Sequence, residues 1–393
     1  MPYRVTIYCP DRHLRYEPGA PDGRGIGGGV TARLRLARAL RRLGDRVTLV
    51  ANFARREPWE GVDCIPLDDA RRIDADVLIL NSTGGALDLS PAGAVPSASD
   101  LRLVWVGGAA RVGGIATARP DWLVAPSNFI RKVVRDAWDL PASPTFVVFN
   151  GVERDRLARP RLLAPRRDPH RLVYVGHPAK GLDAARAVLR LLRRRDRRFE
   201  LHVYGGAALW GGEEEIAVAE EGVTSHGVIG QRALARELRR STFTVALQSI
   251  PEAFGIAVAE AMAAGNVALA SAVGAFPEFL RDGENAYLIA GDPAATETGE
   301  RTAGVVIDLL ERPEHLERLR VRARATPLDW LTIAAVWQSH WDWVLRPRTG
   351  GEAARRAATG ACAECGGELL QLADGSHCTS CGAYLPRLAW ERA

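Results

Sequence analysis

Short apolar runs recur along the chain, and most lead through a turn into a segment with apolar positions every three to four residues. That alternation predicts strands separated by helices. Residues 4–9 form the first strand. The turn Gly25-Ile26-Gly27-Gly28-Gly29 leads to a helix over Val30–Leu43, striped by Leu34, Leu36, Ala37, Leu40 and Leu43. Strands are expected next at Val47–Ala51, Val77–Asn81, Leu103–Val106, Trp122–Ala125 and Phe146–Phe149. Ser127 caps a helix reaching Trp138. Asn150-Gly151-Val152 closes this half, and the Pro- and Arg-rich connector Leu157–His170 reads as a hinge. The alternation then restarts with strands at Leu172–Val175, Glu200–Tyr204, Val223–Ser225, Phe243–Leu247, Val267–Ala270 and Ala286–Ile289. Helices are expected from Gly181 to Arg195, at Thr302–Leu310 and at Pro313–Ala323, with a Trp-rich helix ending at Leu345. Crossovers of this length imply parallel sheets with right-handed connections, an α/β chain of two halves.

One stretch carries most of the chemistry. Pro251–Gly265 leaves the strand at 243–247 as a loop and becomes a helix of Ala, Ile, Val and Met, buried on most sides. Glu252 and Glu260 bracket its first turns, and a carboxylate in such a setting needs a polar partner. The N–H groups of Phe254, Gly255 and Ile256 suit phosphate oxygens. Lys132 and Lys180 are the only lysines beside many arginines. Lys180 stands in the strand-to-helix loop Gly176-His177-Pro178-Ala179-Lys180-Gly181, where parallel sheets bind ligands.

The spacing Glu252-x7-Glu260, with Gly274-Ala275-Phe276-Pro277-Glu278 and Asp282-Gly283-Glu284-Asn285 after it, resembles the donor-site signature of retaining glycosyltransferases of family 4. Weaker likeness extends over most of residues 1–345. The resemblance implies the GT-B fold, two Rossmann-like parallel-sheet domains facing across a cleft. Residues 1–160 would form the acceptor side and 169–328 the donor domain, with a closing helix at 329–345 crossing back to the first domain, stapled by Trp330, Trp337 and Trp341. It also implies transfer of a sugar from a nucleotide-diphosphate donor without a catalytic metal. Glu252 would contact the donor sugar at its anomeric centre, and Glu260 the ribose. Lys180 and the amides of Phe254, Gly255 and Ile256 would hold the leaving diphosphate, near Gly27 and Gly28. Gly176 and His177 would line the donor loop, and Val228 would face the nucleobase. Two departures stand out. His177 occupies a position where the family usually has arginine, and Val104-Trp105-Val106-Gly107-Gly108-Ala109 lacks the histidine expected near the acceptor. Acceptor activation is thus assigned to no residue.

Composition adds a third part. Residues 346–360 read as a linker, and 361–386 hold Cys362-x-x-Cys365 and Cys378-x-x-Cys381, each pair followed by glycine. Two such knuckles suit a structural tetrahedral zinc, with His377 a bystander. Cys9 and Cys64 read as isolated buried residues, and His202 and His226 as packing residues. The net charge is +5, but the basic residues are dispersed among acids, which argues against nucleic acid. The six Arg and five Asp or Glu of residues 346–393 point the ribbon toward a structural or protein-contact role. No apolar run has the length of a membrane span, and the start has no signal-peptide layout, so the expectation is a cytoplasmic protein without a transmembrane segment. The acceptor is left open among glycan, lipid and small molecule. A nucleotide-sugar-binding scaffold without transfer and a transferase modifying nucleic acid are the alternative readings.

Overall fold

The computed structural model describes residues 2–138, 140, 144–157, 167–212, 220–345, 358–372 and 375–386. Two compact units emerge, one of Met1–Gly19, Gly29–Gly151 and Asp329–Arg387, the other of Ala20–Gly28 and Val152–Leu328. The boundary thus falls at Gly151/Val152, and the second unit also takes the glycine turn before the first helix. Residues 158–166 of the expected hinge and 346–357 of the expected linker lie outside the described residues.

The first unit opens with β1 (Arg4–Tyr8), α1 (Gly28–Arg42), β2 (Arg46–Ala51), β3 (Glu57–Trp59), β4 (Val62–Pro66), β5 (Ile73–Ser82) and β6 (Ser97–Val106). It continues with α2 (Ile115–Ala118), β7 (Trp122–Ala125), α3 (Asn128–Ala137) and β8 (Thr145–Val147). The strands form one sheet in the order β3-β4-β2-β1-β5-β6-β7-β8, parallel except for the β3–β4 pair. The sequence pattern passed over β3 and β4, which are short and carry Pro58 and Pro66. Pairing makes β4 a strand, since Leu49 of β2 lies beside Cys64. Ser127 caps α3 as expected, its Oγ accepting from Ile130 N at 3.1 Å. Cys9 and Cys64 are buried, and burial pushes both thiols up to about 12.

The second unit comprises α4 (Arg154–Leu157), β9 (Arg171–Val175), α5 (Leu182–Arg195), β10 (Glu200–Tyr204), β11 (Val223–Ser225), α6 (Gln231–Arg240) and β12 (Phe243–Ala246). Then follow α7 (Ile256–Ala263), β13 (Val267–Ser271), α8 (Phe276–Phe279), β14 (Ala286–Ile289), α9 (Thr296–Glu311) and α10 (Pro313–Ala325). All six strands are parallel, ordered β11-β10-β9-β12-β13-β14. This is a doubly wound order that reverses between β9 and β12. One helix starts earlier than its sequence suggests. The polar run before Thr302 looks like a loop, yet α9 begins at Thr296 because Thr298, Gly299 and Thr302 are buried. Packing against the rest of the unit overrides weak propensity there.

The chain then returns to the first unit through α11 (Trp330–Leu345). Trp337 meets Trp105 edge-on at 5.5 Å, and Trp341 meets Tyr3 at 5.7 Å. Tyr3 donates its hydroxyl to Asp342 at 2.6 Å, and Gln338 donates to Asp45 at 2.8 Å. Strands β15 (Ala358–Ala361), β16 (Glu368–Gln371), β17 (Gly375–Cys378) and β18 (Tyr384–Pro386) form a separate antiparallel sheet within the same unit. This small sheet is not a free appendage. Asn128 at the start of α3 clasps the Tyr384 backbone twice, donating to its carbonyl at 2.6 Å and accepting from its N–H at 2.9 Å. Gly382 lies so close to β8 that a Cβ there would sit 1.6 Å from the Thr145 carbonyl oxygen.

His340 of α11 is 3% exposed, with Phe146 at 4.0 Å and His377 of β17 at 4.9 Å. Burial, reinforced by the His377 ring, holds its pKa well below the usual histidine range. A group with a depressed folded pKa favours the native state while neutral, so that stability is lost as pH falls below about 6.5. The slope from one such group is at most about 1.4 kcal/mol per pH unit. His340→Phe should therefore flatten the fall in thermal midpoint between pH 7 and pH 5. An unchanged slope would clear His340 of that role.

Candidate functional site

In an open parallel sheet ligands bind beyond the carboxyl ends of the strands, at the point where strand order reverses. In the second unit that point separates the loop after β9 from the loop after β12. The first loop carries Lys180 and the second carries Glu252, and their side chains meet, Nζ to Oε1, at 2.6 Å. Both are partly shielded, with side-chain exposures of 31% and 19%. Residues 72 positions apart thus form one charge pair across the crevice.

Backbone packing fixes each half of this pair. Gly181, just after Lys180, has φ +157°, and a Cβ there would lie 1.9 Å from the Leu247 carbonyl oxygen. The β9 loop is therefore pressed against the end of β12. Gly274 has φ +60°, and its Cβ would stand 2.4 Å from the Glu252 carbonyl oxygen. The same oxygen accepts from Ala275 N at 3.0 Å. The Gly274-Ala275 pair thus seats the Glu252 backbone, a contact the sequence pattern did not reveal. His177 caps the turn before Lys180, its Nδ1 accepting from Ala179 N at 3.2 Å while its carbonyl accepts from the Tyr174 hydroxyl at 2.6 Å.

Helix α7 begins at Ile256 after Gly255, so its first amides have no acceptor within the helix. Phe254 is buried and stacks on Phe279 at 5.2 Å. Glu260 is 5% exposed and lies one turn beyond Ile256 on the same helix face. The segment Ala20–Gly28 joins this group. Gly27 N donates to Leu209 O at 3.0 Å, and a Cβ on Gly28 would lie 3.8 Å from Ile256 Cδ1. A Cβ on Gly25 would strike Val228 and Ile229. Gln231 N donates to Pro21 O at 2.7 Å, and Asp22 forms an ion pair with Arg156. Gly27, Gly28, Val228 and Ile256, distant in sequence, are thus gathered in one unit with Lys180 and Glu252. His202 and His226, expected only to pack, touch each other through Nδ1 and Nε2 at 2.9 Å, and burial lowers both pKa values.

The first unit has its own reversal between β1 and β5. There Asp11 accepts from the Ser82 hydroxyl at 2.5 Å and from Thr83 N at 2.9 Å. His13 lies over Gly84 and Gly85, where a Cβ on Gly84 would come within 2.3 Å of its ring. The family resemblance places a histidine after β6, but His13 follows β1, and only strand order brings it beside the end of β5.

The four cysteines also converge. Their sulfurs all lie within 4.8 Å of one another, with Cys362–Cys381 at 3.7 Å and Cys365–Cys378 at 3.5 Å. A tetrahedral zinc with Zn–S near 2.3 Å places its sulfurs about 3.8 Å apart, so the set fits. Amides of Ser380 and Cys381 point at Cys378 Sγ, each at 3.4 Å. Burial raises that thiol's pKa, but these amide donors together with the Cys365 and Cys381 side chains bring it below the usual thiol value, to about 7. Arg131 of α3 is 2% exposed and donates to the Cys381 carbonyl at 3.0 Å and to Glu364 at 2.7 Å. A buried cation therefore stands beside a site that would carry net negative charge with four thiolates.

A family model described as glycosyl transferases group 1 matches residues 169–299, which lie in the second unit. The chain is 36% identical to a D-inositol 3-phosphate glycosyltransferase of Streptomyces scabiei over 110 residues, covering 27% of this chain and 23% of the relative. It is 30% identical to the phosphatidyl-myo-inositol mannosyltransferase of Mycobacterium leprae over 226 residues, 54% of this chain and 56% of that protein. The matched part thus spans little more than half, or less, of these curated relatives. Among solved structures, sucrose-phosphate synthase from Thermosynechococcus elongatus superposes with TM-score 0.61 at 16% identity, covering 88% of this chain and all (100%) of its own. An Anabaena protein solved with UDP and glucose gives TM-score 0.59 at 13% identity, with coverages of 86% and 100%. The fold is GT-B, with two parallel sheets in α/β units. Among the described residues no helix is long and apolar enough to cross a membrane.

Gly181→Ala should test how the loops are held. Overpacking of this kind costs about 1–3 kcal/mol, so the thermal midpoint should fall measurably. Gly19→Ala, where a Cβ meets nothing within 4 Å, should leave it near the parent value. Equal midpoints for the two variants would contradict the close approach of the β9 and β12 loops.

Proposed function

We propose that this chain is a retaining glycosyltransferase that takes a sugar from a nucleotide-diphosphate donor. The observation that carries the reading is the Lys180–Glu252 pair at the strand-order reversal of the unit that the family model matches. The donor diphosphate lies against the amides at the start of α7 and the Lys180 ammonium, where charge develops as the bond to the sugar breaks. Glu252 exchanges Lys180 for the sugar hydroxyls and positions the anomeric carbon. Glu260 takes the ribose, while Val228 and the Gly27-Gly28 turn flank the nucleotide. Retention means that the acceptor hydroxyl joins the anomeric carbon on the face the diphosphate leaves. The departing diphosphate oxygen is then a natural recipient of the hydroxyl proton. No divalent ion is required if these cationic and amide groups balance the diphosphate. The acceptor belongs to the first unit, and we assign His13 and Asp11 as candidates for orienting its hydroxyl. Since the named relatives act on inositol phosphate and phosphatidylinositol, an inositol phosphate is the acceptor to test first. UDP leads the nucleotides, alongside GDP, ADP and dTDP.

The two carboxylates separate this reading from a binding protein without transfer. Glu260 would be engaged equally in the ground and transition states, so Glu260→Gln should raise the donor KM and weaken nucleotide binding. Glu252→Gln should depress kcat while leaving affinity for the bare nucleoside diphosphate nearly intact. Lys180→Met removes a charge-assisted contact, and donor affinity or turnover should fall roughly ten- to a hundredfold. Calorimetry with nucleoside diphosphate, beside rates of transfer and of donor hydrolysis, reads all three. Normal nucleotide binding without transfer or hydrolysis would favour a scaffold. Reversed phenotypes for the two glutamates would place the donor the other way round.

For the cysteine cluster we propose a single structural zinc held by Cys362, Cys365, Cys378 and Cys381. Metal analysis should find it in the parent and lose it in a Cys365→Ser, Cys378→Ser variant. Because Arg131 and Asn128 tie this sheet to α3, chelation should also lower the melting of the first unit. Stoichiometric zinc retained by the double variant would refute the assignment.

A further inference from the structure

Between Gly23 and Gly29 every residue except Arg24 and Ile26 is glycine. Glycine loses more backbone freedom on ordering than any other residue, so such a stretch keeps one place only through its contacts. Ala20–Gly28 lies in the second unit, although the chain on either side of it belongs to the first. Residues 20–27 take part in no helix or strand, so no ladder of backbone bonds holds them. Instead Gly27 N donates to Leu209 O at 3.0 Å, Gln231 N donates to Pro21 O at 2.7 Å, and Gly25 N closes a turn on Ala20 O at 3.0 Å. Ile26 is buried. The backbone rests on the loop after β11: a Cβ on Gly230 would stand 2.1 Å from the Gly23 carbonyl oxygen, and one on Gly25 2.5 Å from that of Ile229.

One carboxylate fastens this segment to two helices. Asp22 Oδ1 pairs with Arg156 of α4, and its Oδ2 lies 3.8 Å from Arg232 Nε of α6. The Asp22 and Arg156 side chains are 14% and 22% exposed, shielded enough for their attraction to escape most solvent screening. Glu153, 3.4 Å from Arg156, steadies the guanidinium from the other side. The same segment flanks the proposed nucleotide position, since Gly25 lies on Val228 and a Cβ on Gly28 would come 3.8 Å from Ile256 Cδ1 at the start of α7. A segment without ladder bonds opens at a lower free energy than the strands behind it, and segments that open this way often cover binding sites. We propose that Ala20–Gly28 is a strap latched by Asp22, which opens while the sheet stays folded and, when closed, retains a nucleoside diphosphate. Retention of the nucleotide rests on the donor site proposed above, whereas the latch does not.

Hydrogen exchange of the full chain tests the latch. In the parent, the hydrogen-bonded amides of Gly25 and Gly27 should exchange faster than the amides of β9 and β10. Asp22→Asn should speed Gly25 and Gly27 by about tenfold and leave β9 and β10 at the parent rate. Arg156→Gln should act alike, and the double variant should add little to either change, because all three lose one pair. Equal exchange of Gly25 and Gly27 in parent and Asp22→Asn overturns the latch, as does matching loosening of β9 and β10. The second arm adds whichever of UDP, GDP, ADP and dTDP binds most tightly. Saturation should slow exchange at Gly25 and Gly27 in the parent, and Asp22→Asn should raise the rate of nucleotide dissociation by about tenfold. A nucleotide that binds without slowing the strap, or leaves parent and variant at one rate, overturns the gate while the donor site stands. A chain with the expected latch that binds none of the four overturns the donor site and the gate together.

Discussion

The second unit depends on the reversal of strand order between β9 and β12. Successive loops leave a parallel sheet at the same edge, and at the reversal no crossover covers the gap between them. Lys180 and Glu252 occupy the two sides of that gap and neutralise each other at 2.6 Å. A partly shielded cation and carboxylate would each be costly alone, so the pair holds both in place while remaining available to exchange for ligand groups. Gly181 and Gly274 serve the same constraint from behind, because each lets one backbone approach another more closely than any side chain would allow.

The cysteine-bearing sheet obeys a related electrostatic logic in the first unit. Four thiolates on a divalent ion would leave excess negative charge, and Arg131, almost wholly buried, stands against that cluster. Docking also has an apolar component, since Tyr384 meets Phe149 edge-on at 4.6 Å and stacks beside His377 at 4.5 Å. These contacts make the sheet a structural part of the unit on whose α3 and β8 it rests.

Most of the elements were legible from periodicity, because each buries a defined face. The exceptions share a cause. The strands β3 and β4 are too short and proline-marked to show a period, and the first turn of α9 is polar until tertiary packing buries Thr298 and Thr302. The carboxylate spacing, the lone lysine of the β9 loop and the paired Cys-x-x-Cys knuckles were equally legible, since their chemistry depends on local order.

Local order could not decide which distant segments meet. Residue order alone shows two alternating α/β halves, a carboxylate-flanked helix start and a four-thiol set. That Lys180 faces Glu252, that Ala20–Gly28 packs in the second unit, and that His13 reaches Gly84 follow from the folded chain. The physical reason is that an amphipathic pattern specifies which face an element must bury, whereas its partner is chosen by strand order and side-chain packing summed over the whole unit.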